Sequence, residues 1–534
     1  MFKLPIEYRK SYPTQGAMIQ DLELCAAEEG PSMLECVFEP KTTLASKMLP
    51  KWAAQYTDDV EFLKDSVKVC KRLEVESHDP SPFLAWWEEL HSTAEFNAVY
   101  QYVDYSKLDF LNKNSMFLLL MTFYSLASPV LFILSPLLIV LLPFAILKVK
   151  NIPVQWDQYF LILKDVLRKH AIGGLLLGFG QADMQQRAYL IGTVALFGVQ
   201  LYANVYACYT FYKSLKKTYA MLDSAKDYVG HVLGAMKAIA AAADGVPTYA
   251  DFLLEQTMVG VVLTGYHDML CQPYKTVGQV GRVRKMLYQL KTDRALKEAI
   301  EYSFGVHGYA ENLATLRAKL AAKEVTACKF SKRTSFKGAR YPVSAQYRAN
   351  SYSLKNYLIT GPNASGKTTF IKTTMLNVLF SQQFGAGFYT KASVHPFQNL
   401  CCYINIPDTS GRDSLFQAEA RRCKEILDIV QKGRSFCIFD ELFSGTNPLE
   451  ATASAYAFLQ HLVKNEGCTF LLTTHFIELC ERSTNIMSYH MATLPPHNYT
   501  YGFTKGISYV RGGVQVLSQL GFPPSIIECA KKYR

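Results

Sequence analysis

Charge is scarce in this 534-residue sequence: 19% of residues are Asp, Glu, Lys or Arg, against 49% hydrophobic and 13% aromatic. That balance excludes an intrinsically disordered chain, which needs little hydrophobicity and much charge. Pattern is missing from the thirteen cysteines, which run from Cys25 to Cys529 without one C-x-x-C pair. No zinc or redox framework follows, and buried thiols in a reducing compartment are expected. The opening MFKLPIEYRKSYPTQG lacks the apolar core of a signal peptide, so the mature chain is expected to begin near Met1. The net charge of +11 is spread along the chain, which fits an anionic partner without naming one.

Two stretches lack charge altogether. Met116 to Leu147 gives 32 residues, and Ala188 to Tyr212 gives 25, without Asp, Glu, Lys or Arg. Each exceeds the ~20 residues that span a bilayer as a helix, so residues 115–214 are expected to insert in a membrane. Lys148, Lys150, Lys164, Arg168, Lys169 and Arg187 lie between the runs, and short basic loops favour the cytosolic side. That placement, around Gln158, is met if the first run turns back as a hairpin at Pro129, Pro136 or Pro143, and a second hairpin could turn at DMQQR. Two plain crossings would put the loop on the other side, and both topologies stay open.

Around these stretches the 3.6-residue period of apolar positions predicts helices. Residues 1–114 read as an N-terminal helical domain with Trp86 and Trp87 in its core. Residues 215–330 read as amphipathic levers, one bearing Arg282, Arg284, Lys285, Lys291, Arg294 and Lys297. That helix presents either a solvated face or a phosphate-contacting one.

Chemistry concentrates after residue 331. The strand Tyr357–Ile359 runs into TGPNASGKTTF, whose Gly361, Gly366, Lys367 and Thr368 have the spacing G-x-x-x-x-G-K-[ST] of a phosphate-binding loop. Backbone N–H groups of such a loop converge on phosphate, its Lys reaches the β and γ phosphates, and its Thr hydroxyl holds Mg²⁺. The apolar segment SFCIF then ends in Asp440 and Glu441, the pair needed to hold Mg²⁺ and to polarise an attacking water. A third strand, CTFLLTTH, puts His475 at the same sheet edge, where it is expected to sense the γ-phosphate or the water.

The loop TGPNASGKTT, then SGRDSLFQAE, FDELFSGTNPLEA and LLTTHF occur in the order found in MutS-family ATPases, and the last 200 or so residues resemble that family. The resemblance implies an α/β P-loop NTPase domain of the ABC ATPase type over 331–534, a mostly parallel sheet with flanking helices. An all-α region with hydrophobic, membrane-inserted helices would precede it. It also implies ATP and Mg²⁺ as cofactors and a composite site in a homodimer or MutS-like heterodimer. Tyr347 matches an adenine-stacking aromatic. Pro362, Asn363, Ala364, Ser365 and Thr369 fall within the matching nucleotide loop, with Thr368 and Asp440 as Mg²⁺ ligands. Ser414 matches a serine reaching the partner's γ-phosphate, and Ser444 to Asn447 a loop communicating across the dimer. The terminal GVQVLSQLGFPPSIIECAKK resembles the family's helix-turn-helix dimerisation element.

Departures accompany the likeness. Thr368 and Thr369 replace the usual small residue and serine, and GGV at Gly512 to Val514 loosens the dimer loop. Phe38, in VFEPK, has no mispair-reading domain around it. The resemblance thus implies a DNA-acting ATPase whose helices clamp DNA; the alternative is a membrane-anchored mechanochemical ATPase, intracellular with its ATPase domain in the cytosol.

Overall fold

The computed structural model describes residues 4–8, 10–150, 156–169, 183–343, 348–404, 414–494, 498–510, 514, 517–518 and 520–532. Two compact units interleave along the chain, one made of 1–79, 231–261 and 300–534, the other of 80–230 and 262–299. The sequence reading drew four consecutive blocks instead, divided at 114, 214 and 330. A division at 214 falls inside one unbroken helix, Met184–Ala242, because composition changes there while the backbone does not.

The first unit is built on six strands: β1 (Tyr357–Thr360), β2 (Asn399–Tyr403), β3 (Ser435–Asp440), β4 (Cys468–Thr473), β5 (Met487–Leu494) and β6 (Asn498–Lys505). Their order in the sheet is β2-β3-β4-β1-β5-β6, parallel through β5, with β6 antiparallel to β5. The expected α/β architecture is thus present as a mixed sheet. Strands β3 and β4 are near-continuous apolar runs because helices cover both faces, and Phe436, Ile438, Phe439, Phe470 and Leu471 are fully buried.

Residues 4–79 carry no catalytic motif, and their role in this unit is cover. The helix Lys367–Gln383 that follows the phosphate loop buries 14 of its 17 residues. Polar side chains at its C-terminal end are satisfied by that cover: Gln383 Nε2 donates to Trp52 O at 2.7 Å, and Gln382 Nε2 to Thr57 O at 3.0 Å. Tyr8 O–H donates to Gln383 O at 2.8 Å. Trp52 stacks between Phe38 and Tyr309, with ring centroids 5.2 and 5.6 Å away.

The second unit is helical. Ser115–Val149 is one continuous 35-residue helix, started by Asn114, whose side chain accepts from Met116 and Phe117 N–H. This corrects the expected hairpin at Pro129, Pro136 and Pro143. Each proline removes one helical hydrogen bond, but reversal needs turn residues, and Met116 to Leu147 contains no Gly, Asn or Asp. Met184–Ala242 is likewise a single helix, so the QQR of DMQQR lies in its opening turns; residues 170–182, the other arm of the second expected hairpin, lie outside the described residues. Ser115–Leu134 and Met184–Ala242 are long and apolar enough to cross a membrane, by length and composition.

Two expectations change in this unit. Trp87 is buried, but Trp86 is half-buried with Lys217 Nζ 5.0 Å above its ring. The basic segment breaks at Asp293 into Val280–Thr292 and Arg294–Ala321. Arg284 is buried and donates to the carbonyls of Tyr100, Gln101 and Leu118 and to Thr122 Oγ1. Lys291 Nζ donates to Leu90 O at 2.9 Å. Both cations are occupied inside the fold and offer nothing to a phosphate backbone.

Candidate functional site

The site assembles where β1, β3 and β4 end. After Thr360 the chain makes a tight loop in which Ala364 (φ +62°) and Gly366 (φ +89°) are left-handed, a geometry that turns successive N–H groups toward one concavity. Gly366 has no room for a side chain, since a Cβ there would lie 3.0 Å from the Tyr501 ring; at Gly361 it would lie 2.7 Å from Ser365 Oγ. The loop opens directly into the helix Lys367–Gln383, whose free N–H groups and dipole favour an anion.

Six side chains from three segments meet there. Thr368 Oγ1 donates to Asp440 Oδ2 at 2.8 Å, and the Thr473 hydroxyl donates to the other Asp440 oxygen. Lys367, nearly buried, donates from Nζ to Gly361 O at 3.1 Å and Pro362 O at 3.3 Å, and stands 4.0 Å from Glu441 Oε1. Burial pushes its ammonium below the ordinary lysine value, with Glu441 and Asp440 pulling the other way. Glu441 itself is left-handed at φ +53°, held by its N–H to Thr473 O at 3.1 Å. Its Oε1 is 2.9 Å from His475 Nε2, and that hydrogen bond holds the carboxyl below the usual value against desolvation. His475 Nε2 also lies 3.1 Å from Lys367 Nζ. One nitrogen cannot donate and accept at once, so a proton on Nε2 serves Glu441 while the ammonium serves the loop carbonyls.

A pocket of about 400 Å³ adjoins these groups. Asn363, Ala364, Ser365, Gly366, Lys367, Thr368, Thr369 and Glu441 line it, as do Tyr341, Arg348, Met491 and Tyr501. Gly361 and Pro362 stand behind, where their carbonyls hold Lys367. Tyr347 lies outside the described residues. Tyr341 and Tyr501 bring aromatic rings to the pocket that motif spacing does not reveal; Tyr501 arrives on β6, an edge strand far along the chain.

Ser414 is not in this pocket. It caps the helix Leu415–Val430 in a capping box, accepting from Gln417 N–H at 3.3 Å while Gln417 Oε1 accepts from Ser414 N–H at 2.9 Å. One turn on, Glu419 is buried and accepts from Ser444 N–H and O–H, each at 3.0 Å, and from Gly445 N–H at 3.2 Å. The loop after the acidic pair is therefore tied to the Ser414 helix through a carboxylate that sequence reasoning passed over.

Residues 357–534 match the family model of MutS domain V. An endonuclease MutS2 of Clostridium perfringens is 31% identical over 188 residues, 33% of this chain and 23% of its own length. The DNA mismatch repair protein MutS of Sorangium cellulosum is 27% identical over 215 residues, 37% of this chain and 23% of its own. The DNA mismatch repair protein MSH7 of Arabidopsis thaliana is 28% identical over 212 residues, 35% and 18%. The chain thus spans about a quarter or less of the length of these relatives.

Proposed function

From a chain that belongs to the MutS family through its C-terminal domain, we propose a Mg²⁺-dependent ATPase acting on DNA, whose nucleotide site is completed by a second copy or a related partner. The observation that carries this reading is the Thr368–Asp440 contact beside the Lys367–Glu441–His475 cluster, which brings two oxygen ligands, a cation and a base to one loop. That donor set fits a nucleoside triphosphate with a hard cation. Asn363 to Thr369 would hold the triphosphate, with Thr368 and Asp440 on Mg²⁺. Held there, Mg²⁺ would supply positive charge to offset the negative charge that develops as a phosphoryl group passes to water. Glu441 accepts the water's proton, and His475 keeps that carboxylate ionised and aimed.

Ser414 would act on the partner's nucleotide, and Glu419 would pass the state of the loop Ser444–Asn447 to Ser414's helix. DNA enters through the relatives, an endonuclease and DNA mismatch repair proteins by name, and mispair reading does not follow. Phe38, the sole candidate reader, is fully buried against Trp52 and Phe384. The test is ATP hydrolysis by the full chain with and without duplex or branched DNA. Lys367→Ala should lose nucleotide binding and Glu441→Gln should lose turnover alone; wild-type turnover by Glu441→Gln would overturn the assignment.

A second reading, the same ATPase anchored in a membrane, is favoured by one observation. Of the most apolar windows of Ser115–Leu134 and Met184–Ala242, only 11% and 0% is buried in the protein. A soluble core helix would show the opposite.

A further inference from the structure

The two uncharged helices are partners, and their pairing defines a slab. Phe132 stacks on Phe197 with ring centroids 4.6 Å apart, and Cys208 Sγ lies 3.6 Å from Leu126 O, so the helices run antiparallel and in contact. At one end both are held by the protein. Arg284 donates to Leu118 O and Thr122 Oγ1 and stands 5.2 Å from the ring of Phe211. Leu118, Thr122 and Phe211 are all buried. Beyond that level the first helix runs from Phe123 to Leu147 without a charge, which is 25 residues, and the second from Ala188 to Thr210, which is 23. At 1.5 Å per residue these are about 35–37 Å long, enough for a ~30 Å hydrocarbon core with its margins.

Large apolar side chains face outward along this length, among them Tyr124 (63% exposed), Val130 (57%), Leu142 (58%), Leu196 (70%), Val199 (65%) and Tyr202 (71%). The far end is marked by Lys148, Lys150 and Arg187, the near end by Lys113, Lys213, Lys216 and Lys217. Beside the far end, the amphipathic helix Trp156–Lys169 packs Trp156 and Tyr159 on Phe144, at 4.8 and 5.1 Å, and leaves Phe160 and Leu161 exposed. Aromatic rings and a helix of this kind belong at a membrane–water boundary.

Resting on the membrane reading, we propose that the pair is a two-span transmembrane hairpin, with the helix Trp156–Lys169 on the face of the bilayer opposite to the end held at Arg284. Continuous helices with a shared boundary at Arg284 leave no place for a re-entrant turn. The basic loop does not oppose this, because six Lys or Arg flank each end: Lys148, Lys150, Lys164, Arg168, Lys169 and Arg187 against Lys107, Lys113, Lys213, Lys216, Lys217 and Lys226. A positive-inside bias needs an excess on one side. The occupant is lipid because the exposed surface is bounded at both ends at matched depth, a geometry that a bilayer imposes.

The test takes the full chain carrying Asp157→Cys and, beyond the end held at Arg284, Asp227→Cys, with Cys271, Cys529 and the other partly exposed thiols replaced by alanine, reconstituted in sealed phosphatidylcholine vesicles. Membrane association itself is read first by carbonate extraction, and the chain should stay in the pellet. An impermeant thiol mass tag is then added outside. Chains should carry one tag, at one introduced thiol or the other, and both only after detergent. Doubly tagged or wholly untagged chains in intact vesicles would overturn the hairpin topology and leave the membrane reading standing. Release by carbonate as a soluble oligomer would overturn both, with a second copy covering the helices.

Discussion

At the residue scale, the left-handed Glu441 is the most exacting feature of the site. A non-glycine residue at φ +53° is strained, and here the strain is sustained by its N–H to Thr473 and by His475 on its carboxylate. Glu441→Gln keeps the size and loses the base, so nucleotide binding should persist while turnover falls on the order of 100-fold or more. Equilibrium binding of a fluorescent ATP analogue and single-turnover hydrolysis separate the two effects. The lowered carboxyl value has a further consequence. A depressed acid contributes stability that is fully present above its unfolded value of about 4.5 and is lost as pH falls through the folded value. The stability difference between wild type and Glu441→Gln should therefore be flat from neutral pH down to about 4.5 and shrink below it, which thermal melts at a series of pH values will show. Glu419→Ala removes a buried carboxylate that accepts from three donors on the exposed Ser444–Gly445 turn and should cost about 1.5–3 kcal/mol in denaturant melts while slowing hydrolysis more than binding. Glu419→Gln should restore part of both. The phosphate loop, Asp440, Glu441 and His475 were legible in the sequence because each sits in a short run whose spacing carries its meaning. Glu419 and Tyr501 were not, since their partners Ser444 and Gly366 lie 25 and 135 positions away.

At the scale of elements, the helices were legible and their ends were not. Period and apolarity announced the runs Met116 to Leu147 and Ala188 to Tyr212, yet three prolines invited a turn that the chain does not make. Proline weakens a helix locally, whereas reversal is best served by Gly, Asn or Asp, and none of these stands between Met116 and Leu147. The basic segment failed for another reason: charge counts along a sequence do not show that Arg284 and Lys291 spend their donors on backbone carbonyls inside the fold. The N-terminal segment carries the clearest element-scale prediction. It supplies Trp52 O and Thr57 O to Gln383 and Gln382 at the end of the phosphate-loop helix. Trp52→Ala should destabilise the ATPase unit by about 3–5 kcal/mol, as for other buried aromatics cut to alanine. A fragment beginning at residue 215 would expose that helix end and should fail to give a cooperative melt, whereas the chain with residues 4–79 present should melt cooperatively. Equal cooperativity of the two would mean that the cover is dispensable.

At the scale of the whole molecule, the single chain brings together, among the described residues, the groups the sequence assigned to the phosphate loop except Ser414, and that omission has a physical reading. Ser414 starts a helix whose capping box it completes, so its position is fixed, and it does not line the pocket. A group held rigidly outside its own pocket, on a helix tied through Glu419 to the loop that follows Glu441, is placed to serve a second chain related by twofold symmetry. In such a dimer each site would use Lys367 of one chain and Ser414 of the other. Ser414→Ala and Lys367→Ala homodimers should then each be inactive. Mixed in equal amounts, half the dimers are heterodimers, and each of these has one site with both groups intact and one with neither. For independent sites the mixture should recover about a quarter of wild-type turnover per chain. Loss of the cap alone would cost ~1 kcal/mol and mimic inactivity by instability. Ser414→Asn, which still caps a helix, separates the two: it should melt like wild type and still fail as a homodimer, yet be rescued by Lys367→Ala chains. Heterodimers verified by size and light scattering that recover nothing would place the whole site within one chain.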